Sequence, residues 1–230
     1  MPAECWAPGT QSGVFAAEPE GFSYIAVWGE LNQEEVGYGA SYRMIREAVS
    51  RAEARDLPTF LNINSGGGSV VGMTETVKAI SSMTVPTVAF TDSMAASAAY
   101  ALAIAADKVV CTPSSLVGSV GVRIRHVDLQ KAADNEGWKV TEIGMGDLKT
   151  AGSPFRDLDE KVLEMYKASI ETSYREFCEY VSARMPNVDK QVFSSDLYSG
   201  SEASELGLVH EIVWEEEEAL YYLVDDNEKL

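Results

Sequence analysis

Short apolar segments alternate with amphipathic helical segments along this chain, and that alternation constrains its fold more than any other feature. Strands are predicted at 24–31, 59–64, 87–91, 108–112, 116–124, the end of 134–144 and 208–213. Helices are predicted at 39–54, 73–83, 98–106 and 158–185, before the strand that ends 134–144, and between Ser201 and Gly207. Strands that alternate with helices form βα units, so the sequence predicts an α/β fold with a largely parallel sheet.

One folded domain is expected, because 230 residues with 46% hydrophobic content can bury a single sizeable core. We predict that this domain spans residues 22–214. Residues 1–21 show no regular periodicity and are expected to be irregular. The acidic run Glu215–Glu218 indicates a solvated tail over 215–230.

The composition argues against several classes of protein. A formal net charge of −18 disfavours nucleic acid and anionic membranes as partners. The chain has neither an apolar run of about 18 residues nor a secretory pattern at its start, so we expect no membrane anchor and a cytoplasmic location. Three widely spaced cysteines, Cys5, Cys111 and Cys178, argue against a disulfide framework and a zinc site, and no metal or cofactor is predicted.

A glycine-rich turn follows the predicted strand 59–64 in the sequence INSGGGSVVG. Three successive glycines let the backbone turn sharply and leave N–H groups open to an approaching oxygen. A Walker phosphate loop needs Lys-Ser/Thr after its last glycine, whereas Ser69 and Val70 follow here, and the dinucleotide fingerprint does not fit either. Alone, this segment predicts only a tight turn.

One serine, Ser97, stands among alanines in TDSMAASAAY, where a predicted strand is followed by a helix. The start of a helix offers free N–H groups and a partial positive charge. The N–H of Ala98 could therefore join that of Gly68 in holding an oxyanion, and the small neighbours would let a peptide reach the hydroxyl. Taken alone, a serine in such a helix is more often structural.

A nucleophilic serine needs a base, and the chain has two histidines, His126 and His210. His210 lies in the last predicted strand, which favours a structural role, and His126 is the alternative base. A lysine can also serve where burial favours its neutral form. Lys149 has small neighbours in GDLKTAGSPFRDL, which makes it the candidate lysine. Three other lysines have charged helical neighbours and are predicted at the surface: Lys131, Lys161 and Lys167.

Five segments resemble, in order and with similar spacing, blocks of the signal peptide peptidase A family of serine peptidases. They are INSGGGSV, DSMAASAAYALAIAADKVV, SLVGSVGV, LKTAGSPFRDLDE and YSGSEASELGLVHEIV, within about residues 22–214. The soluble phage branch, the capsid assembly (prohead) proteases, is the most similar, because the membrane anchor of the bacterial enzymes is missing. The resemblance implies a Clp protease/crotonase-like fold of stacked ββα units.

The resemblance also implies a serine endopeptidase that cleaves polypeptides, with scaffold or capsid proteins as substrates in the phage branch. By position, Ser97 matches the nucleophile of a Ser–Lys dyad and Lys149 its general base, while Gly68 and Ala98 match the oxyanion donors. The chain departs from the family in the glycine turn, where a proline is replaced by Gly66. Loss of the proline frees the turn, which weakens the expectation of a preorganised oxyanion hole.

Other interpretations share parts of this pattern. The blocks around Gly66 and Ser97 also resemble Clp protease, but its catalytic histidine falls where this chain has LVGSVGV, so lysine is preferred as the base. A cytoplasmic bacterial peptidase of the same family, which degrades peptides, is the nearest alternative. A crotonase-like acyl-CoA enzyme would leave Ser97 and Lys149 unexplained, and a non-catalytic shell protein would need neither.

A homo-oligomer is expected, because a cleft open to solvent would leave Lys149 hydrated and charged. Members of the family form rings in which neighbouring subunits can complete each site. The long helix 158–185 carries an apolar stripe that can either cover the sheet or contact a neighbour. The stripe consists of Leu163, Tyr166, Ile170, Tyr174, Phe177 and Val181.

Overall fold

A computed structural model describes residues 13–18, 21–33, 39–146 and 148–224 of the chain. The strands are β1 Gly13–Ala17, β2 Ser23–Trp28, β3 Leu31–Asn32, β4 Ala40–Ser41, β5 Thr59–Asn64, β6 Thr87–Thr91, β7 Met94–Ala96, β8 Lys108–Cys111, β9 Leu116–Gly118, β10 Leu197–Ser199 and β11 Glu211–Ile212. The helices are α1 Tyr42–Ala54, α2 Met73–Ser81, α3 Ala98–Ala103, α4 Gln130–Asn135, α5 Glu160–Arg184, α6 Gly200–Glu205 and α7 Glu216–Val224, with a 3-10 helix at Lys190–Ser194.

The largest sheet has the strand order β1-β2-β5-β6-β8-β11. β2, β5, β6, β8 and β11 run parallel, and β1 pairs antiparallel with β2. Parallel neighbours need a crossover connection, which α1 supplies between β2 and β5 and α2 supplies between β5 and β6. A smaller sheet has the order β10-β9-β7. The predicted α/β class with a largely parallel sheet is confirmed.

Helices cover both faces of the large sheet. The apolar face predicted for α1 is buried, with Tyr42, Ile45, Ala48 and Val49 inside the main core. That core also holds Leu61 of β5 and all of α3. On the opposite face, α7 packs Ala219 and Leu223 against a second cluster around Phe60 and Val88. Removal of these side chains from water on both faces stabilises the layered arrangement.

Several strand predictions are wrong in their bounds. The segment 1–21 was expected to be irregular, but β1 forms there and completes the edge of the sheet beside β2. The strand predicted at 116–124 ends at Gly118, because Ser119 has a φ of 53°, which is incompatible with a continuing strand. Within the described residues 139–144 no strand forms, and the strand predicted at 208–213 is limited to β11.

The predictions for the C-terminal region also need correction. Glu216–Val224 forms helix α7 rather than a solvated tail, while residues 225–230 lie outside the described part. The sequence predicted that this helix begins at Ser201, but α6 begins at Gly200 and Ser199 caps it. The Ser199 hydroxyl accepts from the Glu202 N–H, and the Glu202 carboxylate accepts from the Ser199 N–H. This reciprocal pair of hydrogen bonds is a capping box, which forms between a serine or threonine and a glutamate or glutamine three residues later.

Glu216 joins α7 to the sheet through a partly buried polar contact. Asn62 donates from Nδ2 to Glu216 Oε2 at 2.9 Å, and Tyr24 hydrogen-bonds to the same carboxyl. Burial raises the pKa of Glu216 above its ordinary value, the two hydrogen bonds lower it, and the charges of Asp92 and Glu217 raise it. A carboxyl whose pKa is raised by folding contributes stability at low pH, and that contribution is lost as pH rises through the folded-state pKa.

Glu216→Gln is therefore expected to become more stable, relative to the unaltered protein, as pH rises from about 4 to about 7. A neutral amide can keep the Asn62 contact without a desolvated charge. Urea unfolding at both pH values measures the difference in free energy of unfolding, and Glu205→Gln at the exposed end of α6 is the matched control. A free-energy difference for Glu216→Gln that stays constant with pH would contradict this prediction.

The chain divides into two compact units, Met1–Gly121 with Phe177–Leu230, and Val122–Glu176. The first unit contains the large sheet, and the second contains α4 and the first part of α5. The stripe predicted on α5 changes its environment along the helix: Phe177 and Val181 are buried in the main core, whereas Leu163 is 38% exposed. Packing on the core therefore accounts for the C-terminal part of the stripe.

Candidate active site

Ser97 occupies a tight turn between β7 and α3. Its φ of 54° and ψ of −124° are strained for a residue with a side chain, and such strain is typically stored at functional sites. The flanking alanines are buried while Ser97 itself is half-buried, so its side chain lies at the edge of the core. The Ser97 N–H donates to the Gly118 carbonyl at 2.8 Å, and its own carbonyl accepts from the Ala101 N–H at 3.1 Å.

The glycine turn packs directly against this serine. A Cβ atom on Gly67 would lie 2.9 Å from Ser97 Cβ and 3.0 Å from the Ala98 nitrogen, so only glycine permits this approach. Gly67 also has a φ of 91°, and its N–H donates to Ser65 Oγ at 3.1 Å. The tight turn predicted from the glycine run is therefore confirmed, and its reason is close contact with Ser97.

Leu31 fixes the next residue of the turn, Gly68. The Leu31 N–H donates to the Gly67 carbonyl at 2.8 Å, and the Ser69 N–H donates to the Leu31 carbonyl at 2.8 Å. A Cβ atom on Gly68 would overlap the Leu31 carbonyl. These contacts hold the turn in place although it lacks the proline.

Unpaired donors lie beside the serine. Across the described part of the chain, neither the N–H of Gly68 nor that of Ala98 has a hydrogen-bond acceptor, and the Ser97 hydroxyl has no partner. Free backbone N–H groups next to a strained, accessible hydroxyl can stabilise the negative oxygen that forms when a carbonyl is attacked. This arrangement of groups can support acyl transfer.

Lys149 lies in the second unit, on the turn that follows Gly146. Its N–H donates to the Gly146 carbonyl at 3.0 Å, and its side chain is exposed. The lysine amine has no hydrogen bond or ion pair with any residue in the described ranges. It lines a surface groove of about 530 Å³ together with Met145, Gly146, Leu148 and Lys161. Because Lys149 and Ser97 belong to different units, their pairing stays a prediction.

The two histidines have structural partners. His210 Nδ1 accepts from the Val109 N–H at 2.9 Å, and loss of hydration, followed by the charges of Lys108 and Arg184, lowers the pKa of His210. A ring nitrogen of His126 lies 3.0 Å from the Ser153 carbonyl in the second unit. The structural role predicted for His210 agrees with its backbone contact.

Sequence reasoning missed two backbone segments that support Ser97. One is Leu31, which follows β2 and gave no signal because it acts only through its main chain. The other is the segment after β9, where Gly118 accepts the Ser97 N–H. Gly118 lies in the block SLVGSVGV, so the glycines of that block could have indicated that this segment approaches Ser97.

Two further findings bear on the function. Among the described residues, no group of three or more His, Cys, Asp or Glu side chains could hold a metal ion. No helix in the described ranges has the length and apolar character needed to span a membrane.

Residues 79–223 match the family model described as Peptidase family S49. Capsid assembly protease C of Escherichia phage lambda is 28% identical over 181 residues, which cover 77% of this chain and 41% of that protein. Protease 4 of Haemophilus influenzae is 27% identical over 194 residues, which cover 80% of this chain and 30% of that protein. This chain thus spans less than half the length of either relative.

Two solved structures share the fold. An enoyl-CoA hydratase/isomerase family member has a TM-score of 0.57 and 14% identity, over 97% of this chain and 78% of that one. A ClpP1 variant from Listeria monocytogenes has a TM-score of 0.57 and 16% identity, over 85% of this chain and 94% of that one. At these identities the likeness concerns the fold alone, and it confirms the predicted Clp protease/crotonase-like architecture.

Proposed function

Because this chain belongs to peptidase family S49, we propose that it is a serine endopeptidase in which Ser97 is the nucleophile and Lys149 the general base. The observation that carries the proposal is the strained turn at Ser97 beside two N–H groups without acceptors. The peptidase domain proposed at residues 22–214 would be extended by β1 and α7, which pack on the same sheet. No step of the chemistry needs a cofactor or metal.

The proposed mechanism has two stages. Ser97 Oγ attacks the carbonyl carbon of the scissile peptide while the neutral amine of Lys149 takes the hydroxyl proton. The N–H groups of Gly68 and Ala98 hold the oxyanion, which collapses as the Lys149 ammonium gives its proton to the leaving amine. Water, deprotonated by Lys149, then attacks the acyl-serine ester. The Lys149 ammonium returns its proton to Ser97 Oγ as the C–O bond breaks, which releases the second product and restores both residues.

We infer a phage capsid maturation role, in which scaffold or capsid proteins are cleaved in the host cytoplasm or inside the prohead. Its support is the similarity to a relative named as a capsid assembly protease of a phage. The second candidate is a bacterial peptidase that degrades peptides, supported by the similarity to Protease 4. The fold alone would also suit an acyl-CoA enzyme or a shell protein, but neither would need the strained serine.

The peptidase proposal is tested by treating the purified protein with a fluorophosphonate probe and by incubation with an unfolded protein substrate. A peptidase should gain the mass of one phosphonyl group per chain and should lose its cleavage activity in proportion. A protein that binds no probe and cleaves no substrate would contradict the peptidase proposal and favour an acyl-CoA enzyme or a shell protein. Cleavage of capsid or scaffold proteins at discrete positions, rather than to small peptides, would favour the phage role.

A homo-oligomer is proposed as the active form. Lys149 is exposed in a single chain, and the nearby Ile143 and Met145 are 94% and 95% exposed. Exposed apolar side chains that form a contiguous patch are typical of interaction surfaces. Burial of the groove around Lys149 by a second copy would favour the neutral amine that the mechanism needs.

Specific activity is therefore expected to fall when the protein is diluted below the concentration at which it assembles. Light scattering over the same dilution series should report the loss of the larger species. Replacement of Met145 with a charged residue, Met145→Glu, should move both transitions to higher concentration, whereas Met165→Glu on α5 is the matched control. A monomer that keeps full specific activity would refute the proposal.

A further inference from the structure

Three of the four non-glycine residues with positive φ in the described ranges lie in one place. They are Ser97, Ser119 and Ser195, with φ of 54°, 53° and 71°, and the fourth, Asp56, lies after α1. Each such residue costs on the order of 1 kcal/mol and persists only where its surroundings enforce it. Their clustering indicates that the backbone around Ser97 is held by specific contacts.

The segment Gly118–Gly121 connects these three residues. At one end, the Gly118 carbonyl accepts the Ser97 N–H at 2.8 Å. The ladder between β9 and β10 stops at the pair Gly118 and Leu197, so strand pairing does not hold the residues after Gly118. Ser119, Val120 and Gly121 need other partners.

Those partners come from the turn Ser195–Asp196. The Ser119 N–H donates to the Asp196 carbonyl at 2.7 Å, and Ser195 Oγ donates to the Val120 carbonyl at 2.9 Å. Gly121 completes the contact, because a Cβ atom there would overlap Ser195 Oγ and lie 2.8 Å from Ser195 Cβ. Gly121 does not have a positive φ, so close approach of the turn is the reason for its missing side chain.

We propose that the turn Ser195–Asp196 clamps the segment Gly118–Gly121, and that Ser195 and Gly121 thereby act as positioning residues for Ser97. The clamp fixes the position of the Gly118 carbonyl, and that carbonyl in turn positions Ser97 by accepting its N–H. Because Ser97 sits in a strained conformation, a shift of the carbonyl lets the turn relax and moves Oγ away from the oxyanion donors. The inference rests on the proposed function, since it concerns the geometry of acylation at Ser97.

Loss of the contacts between the turn Ser195–Asp196 and the segment Gly118–Gly121 should slow acylation without weakening binding of the probe. Gly121→Ala places a methyl group where Ser195 Oγ lies, so its maximal rate of fluorophosphonate acylation should fall by about 10- to 100-fold, with the concentration for half-maximal rate unchanged. Ser195→Gly keeps the backbone conformation but loses the Val120 contact, and its rate should fall by about 3- to 10-fold. In the double variant, which combines Gly121→Ala with Ser195→Gly, loss of the serine side chain leaves room for the alanine methyl group. This variant should acylate at the rate of Ser195→Gly, faster than Gly121→Ala.

Ser195→Asn keeps the test decisive if Gly121→Ala fails to fold. Asparagine tolerates positive φ but is larger than serine, so it should press on Gly121 and slow acylation about tenfold. Asp56→Asn, at the non-glycine residue with positive φ that lies after α1, is the matched control and should acylate at the unaltered rate. The separation of maximal rate from half-saturation is the readout that a purely structural defect would not give.

The outcomes distinguish this inference from the proposal on which it rests. Folded Gly121→Ala and Ser195→Asn proteins that acylate at the unaltered rate would overturn the clamp alone. A double variant that is no faster than Gly121→Ala would also overturn the clamp, because the overlap with Ser195 would then not be the cause of the slow acylation. If the unaltered protein forms no adduct at all, the proposed function is overturned and the clamp with it.

Discussion

Replacement of Ser97 with alanine is expected to abolish peptide cleavage, with a loss on the order of 10⁴-fold or more. The hydroxyl oxygen is the atom that becomes acylated in the proposed mechanism, and no other group at the turn could take its place. The folded state should survive, because alanine removes one half-buried atom that has no hydrogen-bond partner among the described residues. Cleavage of an unfolded protein substrate, normalised to folded protein by circular dichroism, measures the effect.

Ser97→Gly should lose activity equally but gain stability. Glycine adopts a φ of 54° without strain, so the free energy of unfolding should rise by about 1 kcal/mol. Asp56→Gly is the matched control, since Asp56 has a φ of 56° at the end of α1, away from the turn. It should gain similar stability and keep full activity. Activity retained in Ser97→Ala or Ser97→Gly would rule out Ser97 as the nucleophile.

Replacement of Lys149 is expected to have the second largest effect. Lys149→Ala and Lys149→Arg should both slow cleavage by about 10²- to 10⁴-fold, because alanine has no base and arginine cannot deprotonate in a protein. Cleavage of the unfolded protein substrate, normalised to folded protein, measures both losses.

Two controls make the lysine test specific. Lys161 lines the same groove, so Lys161→Ala changes the charge there without removing the proposed base and should keep nearly full activity. His126→Ala tests the alternative base and should also stay active. If His126→Ala is inactive while Lys149→Ala cleaves normally, the Ser–Lys dyad is wrong and a histidine mechanism replaces it.

Local patterns in the sequence were enough to predict the central layers of the fold. The strand at Thr59–Asn64 was predicted with its observed bounds, and the buried face of α1 followed from helical spacing. β1 was missed because GVFAA has no alternation, and its place is set by pairing with β2. Helix α7 was missed because the acidic residues at its start suggested a solvated segment, although Ala219 and Leu223 further along are apolar and buried.

The candidate site could also be predicted only in part from the sequence. Small residues around Ser97 and the glycine run indicated a close approach of two backbones, which the contact of Gly67 with Ser97 realises. The main-chain bonds of Leu31 and the turn at Ser195 could not be predicted, because each brings together residues that are distant in sequence and acts without a characteristic side chain. Small neighbours singled out Lys149 among the lysines, and resemblance to the family then gave it the role of general base.

The identity of the acylated residue tests the central claim most directly. The protein is treated with a fluorophosphonate probe until cleavage activity is lost, digested with a sequence-specific protease, and the modified peptide is fragmented by mass spectrometry. A single phosphonyl adduct is expected on Ser97, and none is expected in Ser97→Ala. An adduct on a different serine, or an unmodified Ser97 in protein whose activity the probe has abolished, would contradict it.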